Sequence, residues 1–224
     1  MAAPGPVAPA FAAIPWAALA PFADDDDNWL GDGASCDVFK GTWLGQKVAI
    51  KVLRIPRKGP LRAAASAAFQ SELGHLARAT GSPFLPRLFG ACVPSPDDPP
   101  GAKPALVMEL AEGGTLAEKL YPHGIHPTAA AADAPGSAAL ALDESAAVQI
   151  FVDVARGLIF LHGTLRTAHL DVKPPNVLLR RDGSALISDF GIAKIKEVTT
   201  LGGGGGTSAG SLAGTARYMA PEQW

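Results

Sequence analysis

Short apolar runs typical of β-strands dominate the first half of the chain. Two of them, at 38–44 and 48–53, are rich in β-branched and aromatic residues and are joined at Gly45, which predicts a β-hairpin. Two more runs, at 88–93 and 105–110, predict further strands. The first half of the chain is therefore expected to form a sheet.

Helical periodicity interrupts these strands and then follows them. Between 61 and 79 the bulky apolar residues recur at offsets of four and three, which predicts a helix with one apolar face. A short helix is predicted at 115–120. A long helix is predicted from Asp143, whose side chain can cap its first turn, to about His162.

The beginning of the chain lacks such periodicity. Residues 1–22 are apolar but carry five prolines and no basic residue, and 24–27 is a run of aspartates. We expect residues 1–27 to form a flexible leader. Near the other end, the runs 177–179 and 185–187 predict a pair of short strands.

Composition and charge narrow the functional classes. Apolar residues make up 48% and charged residues 18%, which is sufficient for a packed core. With 19 basic and 21 acidic residues the net charge is −2, so neither nucleic acid nor an anionic membrane is an expected partner. No uninterrupted apolar run has the length of a membrane span, so no membrane segment is expected. Cys36 and Cys92 cannot build a disulfide framework, which indicates a reduced compartment and a cytoplasmic location.

One group of residues is suited to holding phosphate. Gly31 and Gly33 lie between two predicted strands, where a backbone without Cβ atoms can approach phosphate oxygens, although a tight β-turn explains the pair equally well. Lys51, flanked by apolar residues on the next strand, needs an anionic partner to offset its desolvation. Glu72 on the following helix can be that partner, or it can be an exposed helix charge.

A second group of motifs follows in the later part of the chain. Residues 169–176 read HLDVKPPN, residues 189–191 read DFG, and residues 214–222 read GTARYMAPE. Preceded by the glycine pair, VAIK at 48–51 and Glu72, these resemble in order the catalytic loop, the magnesium-binding motif and the end of the activation segment of eukaryotic protein kinases.

The resemblance covers about residues 28–224 and implies an α+β, two-lobe protein kinase fold. Residues 28–110 would form an N-lobe with an antiparallel sheet, and 111–224 a partial helical C-lobe with the catalytic loop and activation segment. The stretches GTWLGQKVAIKVL and GTARYMAPEQW look most like the serine/threonine-specific, tyrosine-kinase-like group. Because the family's C-lobe continues well beyond the APE motif, the chain is expected to be truncated there, with an incomplete C-lobe.

The resemblance also implies an activity, the transfer of the γ-phosphate of ATP to Ser/Thr hydroxyls of proteins. Asp171 would accept or orient the proton of the substrate hydroxyl, and Lys173 would steady the transferring phosphoryl group. Asn176 and Asp189 offer hard oxygen ligands suited to Mg²⁺. The implied cofactors are therefore ATP and Mg²⁺, and the implied partner is a protein substrate with a Ser or Thr acceptor.

The nucleotide pocket follows from the same resemblance. Lys51, paired with Glu72, would hold phosphate oxygens, Met108 would be the gatekeeper, and the backbone of 109–111 would be the hinge. The positions that match the pocket are Leu30, Gly31, Gly33, Val38, Ala49, Lys51, Met108, Glu109, Ala111 and Leu178.

Three positions qualify this interpretation. His169 matches a packing and anchoring position of the family and is not expected to be a base. Cys36 stands at the third glycine position of the phosphate loop, and Leu170 replaces the arginine that normally pairs with an activation-loop phosphate, so loop phosphorylation should matter less. These departures leave an alternative open: a pseudokinase, or a truncated kinase-like module that binds nucleotide or a partner without turnover. The protein substrate and the oligomeric state stay open.

Overall fold

The computed structural model describes residues 11–19, 26–32, 36–54, 60–95, 98, 101–121, 142–190 and 218. It divides into two compact units, and each of them is made of two pieces of the chain. Unit 1 consists of Met1–Gly81 and Pro86–Leu110, and unit 2 consists of Ser82–Leu85 and Ala111–Trp224.

Unit 1 is built on a six-stranded sheet in the order β1-β5-β6-β4-β3-β2. The strands are β1 (Ala12–Ala13), β2 (Trp29–Asp32), β3 (Cys36–Trp43), β4 (Gln46–Leu53), β5 (Leu88–Cys92) and β6 (Ala105–Glu109). Neighbouring strands are antiparallel except β1, which runs parallel to β5. The predicted hairpin is confirmed as β3–β4, and its turn residues Leu44 and Gly45 have φ values of 49° and 77°, the geometry that tight two-residue hairpins require.

The helix α1 (Pro60–Ala79) completes unit 1 and confirms the helix predicted at 61–79. Its residues Phe69, Leu73 and Leu76 lie at the predicted offsets and are each at most 5% exposed. Because these side chains share one helical face, their burial shows that α1 packs through this face into the core of the unit.

The described residues of unit 2 include two α-helices and a two-stranded sheet. They are α2 (Leu116–Leu120), α3 (Glu144–Ile159), β7 (Val177–Leu179) and β8 (Ala185–Ile187). All four were predicted. The Asp143 side chain accepts a hydrogen bond from the Ala146 N–H at 2.7 Å and so caps α3, while Thr115 and Glu118 form a capping box on α2.

The helix α3 packs through one face that combines an apolar, an acidic and a small residue. Ile150, Asp153 and Gly157 are buried, whereas Phe151 and Ile159 are 75% and 69% exposed. A Cβ at Gly157 would lie 2.7 Å from Cγ2 of Ile187, so this glycine permits the close approach of α3 to β8.

One candidate for a membrane-spanning helix exists in the part of the chain that the structure describes. The helical stretch Glu144–Thr164, which comprises α3 and a π-helical turn at Phe160–Thr164, is long and apolar enough to cross a bilayer by length and composition. Apolar helices of soluble protein cores meet the same criterion. The expectation of no membrane segment is therefore not confirmed.

The structure differs from the sequence prediction within the leader. Residues 1–27 were expected to be flexible, yet Ala12–Ala13 pairs with β5 and Trp16–Ala18 forms a 3₁₀-helix. Ile14 and Leu19 are only 4% and 2% exposed. Their burial explains the difference, because an apolar segment interrupted by prolines can still order itself when a sheet offers both an edge and a core.

Candidate active site

A buried ion pair joins β4 to α1 in unit 1. Lys51 is in β4 and Glu72 is in α1, and the Lys51 Nζ lies 2.7 Å from the Glu72 Oε1. The two side chains are 5% and 6% exposed. Because a buried charge is stable only when it is paired, Glu72 is the anionic partner that the sequence left undecided, and it is not an exposed helix charge.

The other predicted nucleotide positions of unit 1 are distributed over four strands. These positions are Leu30 and Gly31 in β2, Val38 in β3, Ala49 in β4, and Met108 and Glu109 in β6. Val38 is the cross-strand partner of Lys51, and Ala49 is that of Met108. Gly33 lies outside the described residues, and Ala111 and Leu178 belong to unit 2.

The end of β6 is held in place by its own unit. The Glu109 N–H donates to the Arg87 carbonyl at 2.8 Å, and the Arg87 N–H donates to the Glu109 carboxylate at 3.3 Å. These reciprocal bonds hold the backbone of Glu109, which is the first residue of the predicted hinge.

The predicted catalytic residues of unit 2 form one hydrogen-bonded cluster. The Lys173 Nζ lies 3.0 Å from the Asp171 Oδ2, and the Asn176 Nδ2 donates to the same oxygen at 3.1 Å and to the Asp171 carbonyl at 2.8 Å. A short 3₁₀-helix, Pro174–Asn176, brings Asn176 back toward Asp171. The structure therefore brings together three residues to which the family resemblance assigned roles at the site.

His169 holds this cluster to the segment that precedes the DFG motif. Its Nε2 lies 2.8 Å from the Ser188 carbonyl, and its Nδ1 lies 3.2 Å from the Asp171 N–H. A carbonyl only accepts and an N–H only donates, so the ring is a neutral tautomer with its proton on Nε2. Burial lowers the pKa of His169, and this effect exceeds the opposing influence of the Ser188 carbonyl, Asp171 and Asp189. Both ring nitrogens are thus engaged by backbone, which agrees with an anchoring role.

The two predicted magnesium ligands are tied to the same framework. Ser188, the neighbour of Asp189, donates its N–H and its hydroxyl to the Asn176 carbonyl at 2.8 Å and 3.1 Å. The Asn176 amide nitrogen is committed to Asp171, which leaves the amide oxygen as the atom with ligand chemistry. An amide oxygen and a carboxylate are donors that fit Mg²⁺.

Sequence reasoning missed a buried carboxylate in unit 2, that of Asp153. Asp153 is 3% exposed, accepts from the Gln149 amide at 2.8 Å and accepts from the Ala185 N–H at 3.0 Å. It therefore holds α3 to the start of β8, the strand that leads to Asp189. The available signal was an acidic residue within the apolar face of a predicted helix, four residues after a glutamine.

A second missed feature lies where β3 begins, directly after the phosphate loop. The Arg54 guanidinium forms a two-point ion pair with the Asp37 carboxylate, in which the Arg54 Nε lies 2.9 Å from the Asp37 Oδ2. The hydrogen bond from Arg54 lowers the pKa of Asp37. The neighbouring Cys36, at the third glycine position, is buried at 6% exposure.

Comparisons with known proteins agree with this geometry. The family model for the protein kinase domain matches residues 25–223. A protein named "Probable LRR receptor-like serine/threonine-protein kinase" from Arabidopsis thaliana is 33% identical over 201 residues, which cover 88% of this chain and 18% of the relative. The receptor protein kinase WSS1 of Oryza sativa subsp. japonica is 33% identical over 199 residues, which cover 88% of this chain and 19% of the relative.

A solved structure shows the same fold. The apo structure of a pseudokinase superposes with a TM-score of 0.64 at 20% identity, covering 83% of this chain and 64% of the other. The chain spans less than a fifth of the length of the two curated relatives that it matches. The predicted kinase fold, with a mainly antiparallel sheet in its first unit and helices in its second, is confirmed. Since the domain match covers nearly the whole chain and the catalytic loop is assembled as its motifs require, this chain belongs to the protein kinase family.

Proposed function

We propose that the protein is an ATP- and Mg²⁺-dependent serine/threonine protein kinase. The observation that carries the proposal is the cluster formed by Asp171, Lys173 and Asn176, in which one carboxylate receives an ammonium and an amide at hydrogen-bond distance. A scaffold that only binds partners has no need to orient a partly exposed carboxylate in this way.

The cluster in unit 2 is suited to moving a proton and stabilising charge. The Asp171 carboxylate would accept the proton of a substrate Ser or Thr hydroxyl as the hydroxyl oxygen forms a bond to the γ-phosphorus. The bond between that phosphorus and the β,γ-bridging oxygen breaks, and ADP leaves. Lys173, next to Asp171, supplies positive charge for the transferring phosphoryl oxygens, and Asn176 keeps the Asp171 carboxylate in one orientation.

Unit 1 contributes the residues that hold the nucleotide. Lys51 would bind phosphate oxygens, and Glu72 holds its ammonium in place within the buried environment. Asn176 and Asp189 would hold Mg²⁺, which when bound neutralises phosphate charge.

The acceptor and the location are proposals of the same kind. The stretches GTWLGQKVAIKVL and GTARYMAPEQW resemble the serine/threonine-specific group, and relatives of the chain are named serine/threonine-protein kinases, which favours Ser/Thr acceptors. The proposal of a cytoplasmic location rests on the two cysteines, which are both buried thiols. Burial and the charge of Asp98 raise the pKa of the Cys92 thiol to about 11, so this thiol is protonated and unreactive at neutral pH.

The test is phosphate incorporation from Mg-ATP labelled on the γ-phosphate into a generic Ser/Thr protein substrate. Asp171→Asn should lower the rate about 10²- to 10⁴-fold, since that is the usual effect of losing a general base. Lys51→Met should abolish turnover. Asp182→Asn, in an exposed turn, and Lys47→Met, exposed on the same strand as Lys51, are the matched controls and should leave the rate unchanged.

The alternative is a pseudokinase, or a truncated kinase-like module that binds nucleotide or a partner without turnover. Cys36 in place of the third loop glycine and Leu170 in place of the arginine before Asp171 are the features that favour it. Wild-type protein that binds Mg-ATP but incorporates no phosphate would support this alternative. An equal rate in wild type and Asp171→Asn would refute the catalytic assignment of Asp171.

A further inference from the structure

The outer edge of the unit 1 sheet is occupied by the beginning of the chain. β1 pairs in parallel with β5, with Ala12 opposite Gly90 and Ala13 opposite Ala91. The Ile14 N–H continues this pairing by donating to the Ala91 carbonyl at 2.9 Å. Main-chain hydrogen bonds to an edge strand are one of the ways in which a folded domain binds an extended peptide.

Two side chains of this segment enter the core. Ile14 and Leu19 belong to one buried cluster with Val48, Ile50 and Val52 of β4. Side chains alternate between the two faces of a strand, so this cluster lies on the face of β4 opposite that of Lys51. The segment 11–19 therefore covers the face of the sheet that does not carry the ion pair with Glu72.

The sheet is shaped to receive this segment. A Cβ at Gly90 would lie 2.5 Å from Cδ1 of Ile14 and 2.6 Å from the Ala12 carbonyl oxygen. The missing side chain of Gly90 thus creates the space that Ala12 and Ile14 fill. Pro15 follows in extended conformation, and the 3₁₀-helix Trp16–Ala18 turns the chain so that Leu19 also reaches the core.

We propose that the edge of β5, together with the apolar cluster behind it, is a peptide-docking site, and that its occupant is residues 11–19 of the same chain. The segment FAAIPWAAL has no charged residue, which matches an apolar groove. The site recognises an extended main chain at Ala12–Ala13, a β-branched side chain at 14 and a leucine at 19.

The test compares Ile14→Asp with Ala13→Asp in the full chain. Ala13 is exposed in the same segment, so the control adds the same charge without entering the cluster. Chymotrypsin cleavage after Trp16 should be faster in Ile14→Asp by about tenfold or more, because cleavage follows the population of the undocked segment. Hydrogen exchange of β5 should rise in parallel, while exchange of β7–β8 in unit 2 should not change.

A second step asks whether the site binds the segment as a ligand. The synthetic peptide FAAIPWAAL, added to the Ile14→Asp chain, should restore slow exchange of β5, and the same peptide with aspartate in place of its isoleucine should not. If Ile14→Asp fails to fold, Ile14→Ala replaces it in both steps, because this change removes the side chain that enters the cluster without adding a charge and leaves the space at Gly90 open to the peptide. Equal cleavage rates of Ile14→Asp and Ala13→Asp would refute the docking of the segment. Failure of the peptide to bind would refute a peptide site. A wild-type dimer that dissociates in Ile14→Asp would show that the segment docks on a second copy of the chain instead.

Discussion

Replacing His169 by phenylalanine tests the anchoring role of this residue most directly. Phenylalanine is similar in size, so the change removes the two hydrogen bonds without opening a large cavity. The Ser188 carbonyl and the Asp171 N–H each lose a partner. An unsatisfied buried polar group costs about 1–3 kcal/mol of folding free energy. The carbonyl of Ser188, a residue that is 8% exposed, belongs at the upper end of that range, and the N–H of the less buried Asp171 belongs at the lower end. We expect the free energy of unfolding to fall by about 3–4 kcal/mol.

The pH dependence gives a second readout that a packing defect alone would not change. Burial lowers the pKa of His169 in the folded chain below the ordinary histidine value of about 6.5. The unfolded chain therefore binds more protons, and the stability from neutral His169 is fully present above about pH 6.5 and is lost as the pH falls toward the folded pKa. One such group contributes a slope of at most about 1.4 kcal/mol per pH unit. His169→Phe removes this contribution.

The assay is urea denaturation of the wild type, His169→Phe and His162→Phe at several pH values between about 5 and 8. His162 is exposed at the end of the long helix and is the matched control. We expect a stability that rises with pH in the wild type and in His162→Phe, and a shallower slope in His169→Phe. Equal slopes in all three proteins, or no loss of stability at pH 8 in His169→Phe, would refute the anchoring argument.

Three further changes follow from the contacts of the described residues. Glu72→Gln removes the carboxylate that pairs with the buried ammonium of Lys51. Thermal denaturation should show that the free energy of unfolding falls by about 3 kcal/mol, and nucleotide titration should show a weaker affinity; unchanged values in both would contradict the buried pair. Gly113→Ala places a Cβ 2.7 Å from the Leu179 carbonyl oxygen and should cost about 1–3 kcal/mol in urea denaturation, whereas Gly81→Ala, which meets no atom within 4 Å, should cost less than about 1 kcal/mol. Leu170→Gly removes a side chain from a residue with φ of 62° and should stabilise the fold by up to about 1 kcal/mol; a destabilised variant would show that Leu170 is not strained there.

The sequence by itself determined most elements and the main site residues. The apolar periods of 61–79 and of the long helix after Asp143 depend on local spacing, and α1 and α3 appear where they were predicted. The order of the motifs along the chain identified Lys51, Asp171 and Asn176 as site residues through their resemblance to protein kinases. Helical periods and short motifs can be predicted from sequence because each of them is formed by residues that are near one another in the chain.

Only the tertiary structure decided which distant groups meet. Three findings depend on contacts between remote parts of the chain. Glu72 is buried against Lys51, Asp153 holds the start of β8, and Ile14 packs in the core against β4. A proline-interrupted apolar segment has no periodicity of its own, so residues 11–19 gain structure only from the sheet edge and from the space at Gly90. The burial that stabilises this segment is a property of the folded unit, and local sequence patterns do not encode it.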